Sequence, residues 1–320
     1  MRIMVVGGAG YIGSHTARHL RAAGHEARAL DNLSVGHAWA APDLVRGDLA
    51  DRDGLEAALR DFRAEAVMHF AAHASVPESV ADPAKYYRNN VVGTLNLLDA
   101  MRAAGVPRLV FSSTCATYGE PAAMPITEAT PQAPVNPYGY SKLASERAIA
   151  DYARAYGIGG VALRYFNASG AAADGSLGED HTPETHLIPL VLQVALGTRP
   201  HIAIFGTDYP TPDGTCVRDY IHVEDLAEAH LRAVTLAEPG TYRAYNVGTG
   251  RGFSVREVID ACREVTGRPI PAVEHPRRAG DPPMLVASAD ALRRDTGWEP
   301  RYTEVRPIVE TAWRWHKSRA

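Results

Sequence analysis

The chain has little cysteine, no long apolar run and no block of positive charge. Its three cysteines among 320 residues, Cys115, Cys216 and Cys262, are widely separated, odd in number and free of C-x-x-C spacing. A disulfide frame and a zinc knuckle are therefore excluded as organising devices. No apolar stretch approaches the roughly 18 residues needed to span a bilayer. The opening MRIMVVGGAG runs straight into glycines and shows no signal-peptide cleavage pattern. A formal charge of −4 without any Lys/Arg cluster argues against a nucleic-acid surface. Neither an internal repeat nor a low-complexity segment is present. The expectation is a cytoplasmic soluble protein that binds neither nucleic acid nor membrane.

What is present is the alternation of an α/β protein. Hydrophobic residues make up 46% of the chain, ample for a large core. Short β-branched runs at 3–8, 26–32, 66–72, 108–114 and 159–167 alternate with helical patterns at 14–24, 52–62, 90–105 and 141–157. Strands separated by helices of this length predict a Rossmann-like, doubly wound parallel sheet. After Asn167 the pattern breaks into Gly/Pro-rich loops, then resumes with helices at 187–197, 254–267 and 304–317. We expect a dinucleotide-binding domain over 1–167, to which part of 222–247 returns. A smaller C-terminal α/β substrate lobe then takes 168–221 and 248–320.

Two motifs carry chemistry. VVGGAGYIGSH places Gly7, Gly10 and Gly13 between a strand and a helix, and G-x-G-x-x-G is also satisfied from Gly8, so spacing leaves the register open. Such a turn lets backbone approach a pyrophosphate seated on the helix N-terminus. Asp31, ending the second strand, can accept from both hydroxyls of an adenosine ribose and would repel a 2′-phosphate, which favours NAD over NADP. Asp48 in GDL can reach the adenine or cap a helix. The second motif is VNPYGYSKLASE, residues 135–146. On a helix, i and i+4 share a face whereas i and i+2 do not. Only Tyr138 can therefore present its ring beside Lys142, while Tyr140 points away.

With these motifs, the segments LDNLS, HFAA, YYRNNVVGTLNLL, FSSTCATYGEP, RYFNASGA, GTDYPTPDGTCVRDYIHV, YNVGTG and RRAGDP resemble the extended short-chain dehydrogenase/reductases, and specifically the UDP-glucose 4-epimerase family. The likeness covers almost the whole chain. It implies NAD as cofactor, a UDP-sugar as substrate and interconversion of UDP-glucose with UDP-galactose through a transient 4-keto sugar. Tyr138 is then the acid/base, Lys142 its partner, and Thr114 the hydrogen-bonding residue at the sugar hydroxyl. Cofactor contacts are implied for Gly7, Gly10, Tyr11, Ile12, Gly13, Asp31, Asn32, Asp48, Leu49, Phe70, Ala71, Ala72, Asn89, Ser112, Tyr165 and Phe166. Substrate contacts are implied for Asn167, His186, Leu187, Phe205, Arg218, Arg278, Asp281 and Leu285. The chain departs from some relatives at Ala74, where they carry a cofactor-facing lysine, and at His186, where they carry asparagine. The resemblance also implies a homodimer built on the helices at 90–105 and 141–157.

The proposed chemistry sets demands on these residues. The pyranose C4 has no acidic C–H, so its inversion needs transient oxidation, with a base at the 4-hydroxyl. Tyrosine ordinarily titrates near pH 10, and the Lys142 ammonium with the oxidised nicotinamide is expected to lower Tyr138 by roughly three units, about 4 kcal/mol. Related dehydratases carry an Asp-Glu pair after the threonine. Here Cys115 and Ala116 stand there and cannot eliminate water. Cys115 reads as a small buried residue rather than a nucleophile, and Tyr118 as packing near the cofactor. Arg218 and Arg278 supply forks for a diphosphate. His15, His69, His73, His181, His222 and His230 show no ligand spacing with carboxylates, so no metal is expected. A UDP-xylose/UDP-arabinose epimerase and a non-catalytic NAD-binding regulator are the alternatives.

Overall fold

A computed structural model describes residues 1–278 and 280–320. Ala279, inside the RRAGDP motif, lies outside the described residues. Six strands enter the central sheet in succession: β1 (Arg2–Val6), β2 (Glu26–Asp31), β3 (Leu44–Arg46), β4 (Ala66–His69), β5 (Arg108–Thr114) and β6 (Gly159–Tyr165). The strand Tyr242–Val247 returns beside β6, giving seven strands whose pairings are all parallel. Their order reverses at β1: β2 and β3 lie on one side, β4, β5 and β6 on the other. The carboxyl ends of β1 and β4 thus form the crevice where doubly wound sheets bind ligands.

Helices cover both faces. One face buries α1 (Tyr11–Ala22) and the helix Val223–Ala233 against Ile3, Val5, Met68, Val110 and Val161. The other buries α2 (Arg52–Phe62) and, past the short α3 (Val76–Ala81) and α4 (Pro83–Tyr86), α5 (Gly93–Ala104) and α6 (Pro137–Tyr156). Strands buried on both faces read as continuous apolar runs, which is why β1 (RIMVV) and β5 were legible.

Two element starts differ from the sequence reading. The helix expected from 141 begins at Pro137, because the Asn136 side chain accepts from Gly139 N at 2.9 Å and proline occupies the first turn, where it loses no helical bond. The helix expected over 90–105 opens as a π-helical turn, Tyr87–Val92, before α5. The remaining chain contains β7 (Asn167–Ser169), α7 (Leu187–Ala195), β8 (Ile202–Phe205) and β9 (Val217–His222). After α8 (Val223–Ala233) and the returning β10 (Tyr242–Val247) come β11 (Gly252–Ser254), α9 (Val255–Thr266), β12 (Ala272–His275), β13 (Met284–Leu285), α10 (Asp290–Thr296) and α11 (Val305–Arg319). Helices α7, α9 and α11 share a separate core with Ile202, Ile204 and Tyr220. No helix among the described residues is long and apolar enough to cross a membrane.

Candidate active site

The glycine turn sits between β1 and α1. Gly7 has φ +81°, the left-handed region, and a Cβ there would lie 2.5 Å from Ala71 N. A Cβ on Gly13 would lie 2.2 Å from Gly7 O. Gly10 is the N-cap of α1, supplies no side-chain cap, and has no contact closer than 3.4 Å to such a Cβ. The first amides of α1 thus face a cradle that packing leaves open at Gly10, a fitting place for a pyrophosphate. Tyr11 and Ile12 follow in the first turn.

Acidic and apolar groups border this turn. Asp31 is buried and accepts from Ala9 N at 3.0 Å and Leu33 N at 2.8 Å, leaving acceptor capacity for ribose hydroxyls. Asn32 donates to Asp48 at 2.8 Å, and that bond, with the one from Ala50 N, holds the Asp48 carboxyl below its ordinary pKa. Asp48 does not cap α2; Asp51 does. Asp48, Leu49 and Asn89 line a cavity of about 360 Å³. Phe70 and Ala71 both donate their N–H groups to Val6 O, bringing the end of β4, with Ala72 next, against the turn. Cradle, helix terminus and ribose carboxylate together fit a dinucleotide.

Across the crevice, β5 ends in Ser112, Ser113 and Thr114, and α6 begins beside it. Gly139 makes this approach possible: a Cβ there would lie 2.5 Å from Ala116 O. Tyr138 in the first helical turn is thereby set next to Thr114, whose hydroxyl opposes the upward shift of the phenol. One turn on, Lys142 is buried, with Nζ donating to Ser112 O at 2.8 Å and lying 4.8 Å from the centre of the Phe111 ring. Tyr140 is half exposed on another face. Tyr165 and Ser112 share a short hydroxyl–hydroxyl contact at the neighbouring strand ends.

The protonation pattern differs from the sequence expectation. Burial pushes the Tyr138 phenol up to about 12, opposed by the Thr114 hydroxyl and reinforced by Cys115. Burial also brings Lys142 down to about 7, with Glu146 working the other way. A low-dielectric site penalises both charged forms, so the chain alone does not lower the tyrosine. Burial raises the Cys115 thiol to about 11, as befits a packing residue. Tyr118 is fully buried, donating to Asn246 at 2.7 Å and accepting from Arg164 at 2.9 Å, a packing position. His69 is a neutral core residue, lowered to about 3 by burial and then by Lys142.

The remaining sequence-identified residues gather on the C-terminal side. Phe166 is buried and Asn167 opens β7. Arg218 on β9 pairs with Asp281, and the Arg278 guanidinium lies 3.9 Å over the Phe205 ring. Leu285 is in register with Arg218 and packs against the group containing Tyr118 and Phe166. Leu187 is the first residue of α7. His186 caps that helix by position only, because its Nδ1 faces Glu179 at 2.7 Å and Glu184 at 3.2 Å. The reading that the six histidines show no ligand spacing with carboxylates therefore fails at His181: with Glu179, Glu184 and His186, a residue expected at the substrate, it forms one cluster. Its E-x-H-x-x-E-x-H spacing was the available signal.

Two further groups escaped the sequence reading. Glu146, one turn beyond Lys142, is buried and receives two arms of the Arg164 guanidinium and the Ser113 hydroxyl. Asn90 binds both backbone groups of His73 and donates to Ser141, each at 3.0 Å, tying the loop after β4 to α6. It is the second asparagine of the NNV segment.

Comparison with known proteins agrees with this geometry. The NAD dependent epimerase/dehydratase family matches residues 3–248. A UDP-glucose 4-epimerase of Lacticaseibacillus casei is 51% identical, covering 99% of this chain and 97% of its own. The structure of UDP-glucose 4-epimerase from Brucella ovis in complex with NAD superposes with a TM-score of 0.94 at 50% identity, covering 98% and 97% of the two chains. That of the UDP-Glc/GlcNAc 4-epimerase from Campylobacter jejuni gives 0.86 at 43%, covering 99% of each.

Proposed function

The chain belongs to the NAD dependent epimerase/dehydratase family, and from that premise we propose that it is an NAD-dependent epimerase interconverting UDP-glucose and UDP-galactose. The observation that carries the reading is the seating of Tyr138 and Lys142, one helical turn apart, against Thr114 at the crevice opposite the glycine turn. Relatives of this length and identity bear the UDP-glucose 4-epimerase name. The turn at Gly7, Gly10 and Gly13, with Asp31, Asp48 and Asn89, would hold NAD. When bound, NAD supplies a reversible hydride acceptor, so that C4 of the hexose passes through a ketone and is reduced again on its other face.

The chain's own residues supply the rest. Tyr138 takes the proton of the 4-hydroxyl and returns it. Thr114 holds the sugar oxygen within reach, and protonated Lys142 favours the phenolate by its charge. Arg218 and Arg278 suit the diphosphate because a guanidinium fork matches two phosphate oxygens. Asp281 keeps the Arg218 fork oriented. We further propose a homodimer, since α6 and the turn before α5 carry the exposed apolar residues Tyr87, Val92, Tyr140 and Tyr156.

The test is turnover on a panel of UDP-glucose, UDP-galactose, UDP-xylose and UDP-arabinose with NAD and no external reductant. Interconversion of the two hexoses without accumulation of free NADH is expected. Pentose turnover alone would assign the pentose reaction, and steady NADH release would mark a dehydrogenase.

A further inference from the structure

Beside the glycine turn, the segment between β7 and α7 folds four donors onto one point. Glu179, His181, Glu184 and His186 each offer one nitrogen or oxygen, and these atoms all lie within 4.8 Å of one another. One Glu179 oxygen, Oε1, lies 2.7 Å from His186 Nδ1 and 3.3 Å from His181 Nδ1, while Glu184 turns Oε1 to His186 at 3.2 Å and Oε2 to His181 at 3.7 Å. A tetrahedral zinc ion with bonds of about 2.0–2.1 Å places its ligands about 3.3 Å apart. The observed spread brackets that value.

Three features favour a shared ion over ordinary ion pairing. Both histidines present the same nitrogen, Nδ1, to the same two carboxylates. The His181 Nδ1 is buried and makes no hydrogen bond, although oxygens of Glu179 and Glu184 lie 3.3 and 3.7 Å from it. The carboxylates are themselves enclosed, with side-chain exposures of 4% and 5%. Two buried carboxylates converging on one volume demand compensating positive charge.

The donors are also braced from behind. Trp315 Nε1 donates to Glu179 O at 3.1 Å, and Glu184 accepts from the N–H groups of Thr185 and His186 at 2.7 and 2.8 Å. Such outer bonds orient metal ligands.

We propose that Glu179, His181, Glu184 and His186 bind one divalent transition-metal ion, zinc fitting best, as a structural clamp. Two imidazoles with two carboxylates suit a borderline cation and not magnesium or calcium, which want an all-oxygen shell. The clamp would join two parts of the proposed active site. Tyr11 of the glycine turn meets the His181 ring edge-on at 6.3 Å. His186 immediately precedes Leu187, the start of α7. A bound ion would thus fix the entry to α7 relative to the cofactor turn.

The full-length chain, stripped with a chelator and dialysed, should take up one equivalent of Zn²⁺ by elemental analysis. Added Co²⁺ should give the intense visible absorption of a tetrahedral centre. Zinc should raise the melting temperature by several degrees, since a ligand bound only by the folded state stabilises it. His181→Gln and Glu184→Gln should each weaken zinc binding by more than roughly a hundredfold, exceeding the loss from an outer-shell change. Circular dichroism and NAD binding would show whether these variants fold. The unaltered chain needs no such control: a weak octahedral cobalt spectrum, or melting indifferent to zinc, would make the cluster a set of ion pairs and overturn the site. Neither result would touch the epimerase reading, which the UDP-sugar panel tests separately.

Discussion

Lys142 Nζ donates to the carbonyl oxygen of Ser112 at 2.8 Å, so the amine is held by the same strand that ends, two residues later, in Thr114. Helix α6 and strand β5 are thereby locked in one relative position, the position that decides where the Tyr138 phenol lies. A backbone acceptor cannot swing away as a side chain can, and Lys142 therefore has a geometric task as well as an electrostatic one.

Replacing Tyr138 by Phe should lower turnover by about 10² to 10⁴, the usual weight of a positioned acid/base, while leaving NAD binding and the circular dichroism spectrum intact. Tyr140→Phe should change little, because that ring is half exposed and two residues out of phase with Lys142. Steady-state rates of both variants check this. Equal losses would remove Tyr138 from its role.

Lys142 also predicts a pH signature. Burial lowers it from an ordinary 10.5 to about 7. Between those values the unfolded chain holds a proton that the folded chain has shed, so stability rises with pH across that window and the burial cost is complete below pH 7. At about 1.4 kcal/mol per unit, that cost is a few kcal/mol. Lys142→Met removes it, at a pH-independent loss of about 1–3 kcal/mol for orphaning the Ser112 carbonyl. The melting temperature of Lys142→Met relative to the parent should be highest at pH 6 and fall steadily by pH 10. A difference constant over that range would refute the lowered pKa.

Behind the lysine, Glu146 and Arg164 are 2% and 5% exposed and share a bidentate pair. Glu146→Ala would leave a buried guanidinium unpaired, and stability should drop by about 3–5 kcal/mol. Denaturant titration measures it. A loss below 1 kcal/mol would mean that water or another acceptor replaces the carboxylate.

Self-association should follow the exposed apolar residues of α6 and the turn before α5. Sedimentation at micromolar concentration should give a dimer, and Val92→Glu should shift it towards monomer, since Val92 is 50% exposed. A monomeric parent chain would dismiss the interface.

The alternating elements and the Tyr138–Lys142 relation were legible because they are local: apolar runs for β1 and β5, helical spacing for α6. The start of α6 was not, because Asn136–Pro137 serves a turn and a helix cap equally well. The Glu146–Arg164 pair joins residues 18 apart on different elements, and nothing in either local pattern marks it. The lowered Lys142 pKa arises from burial, which spacing does not report. The four donors at 179–186 sit on an irregular segment, where their E-x-H-x-x-E-x-H spacing matches neither a helical nor a strand period, so the spacing flags them but only the fold shows that they converge.

Leu285 offers the sharpest test of sugar specificity. It lies in register with Arg218 on β9 and packs, as Cys115 does, against the cluster of Tyr118, Ile126, Phe166 and Ala287. A leucine there cannot hydrogen-bond an acetamide, and burying that group unpaired costs about 1–3 kcal/mol. At 1.4 kcal/mol per tenfold, kcat/KM for UDP-glucose and UDP-galactose should exceed that for their N-acetyl forms by roughly ten- to a hundredfold. Leu285→Gly removes the bulk and should narrow the gap by raising the N-acetyl rate more than it lowers the hexose rate. Competition assays with paired substrates measure the ratio directly. Equal efficiency on both sugar types in the parent chain would show that Leu285 only packs the C-terminal side of the crevice.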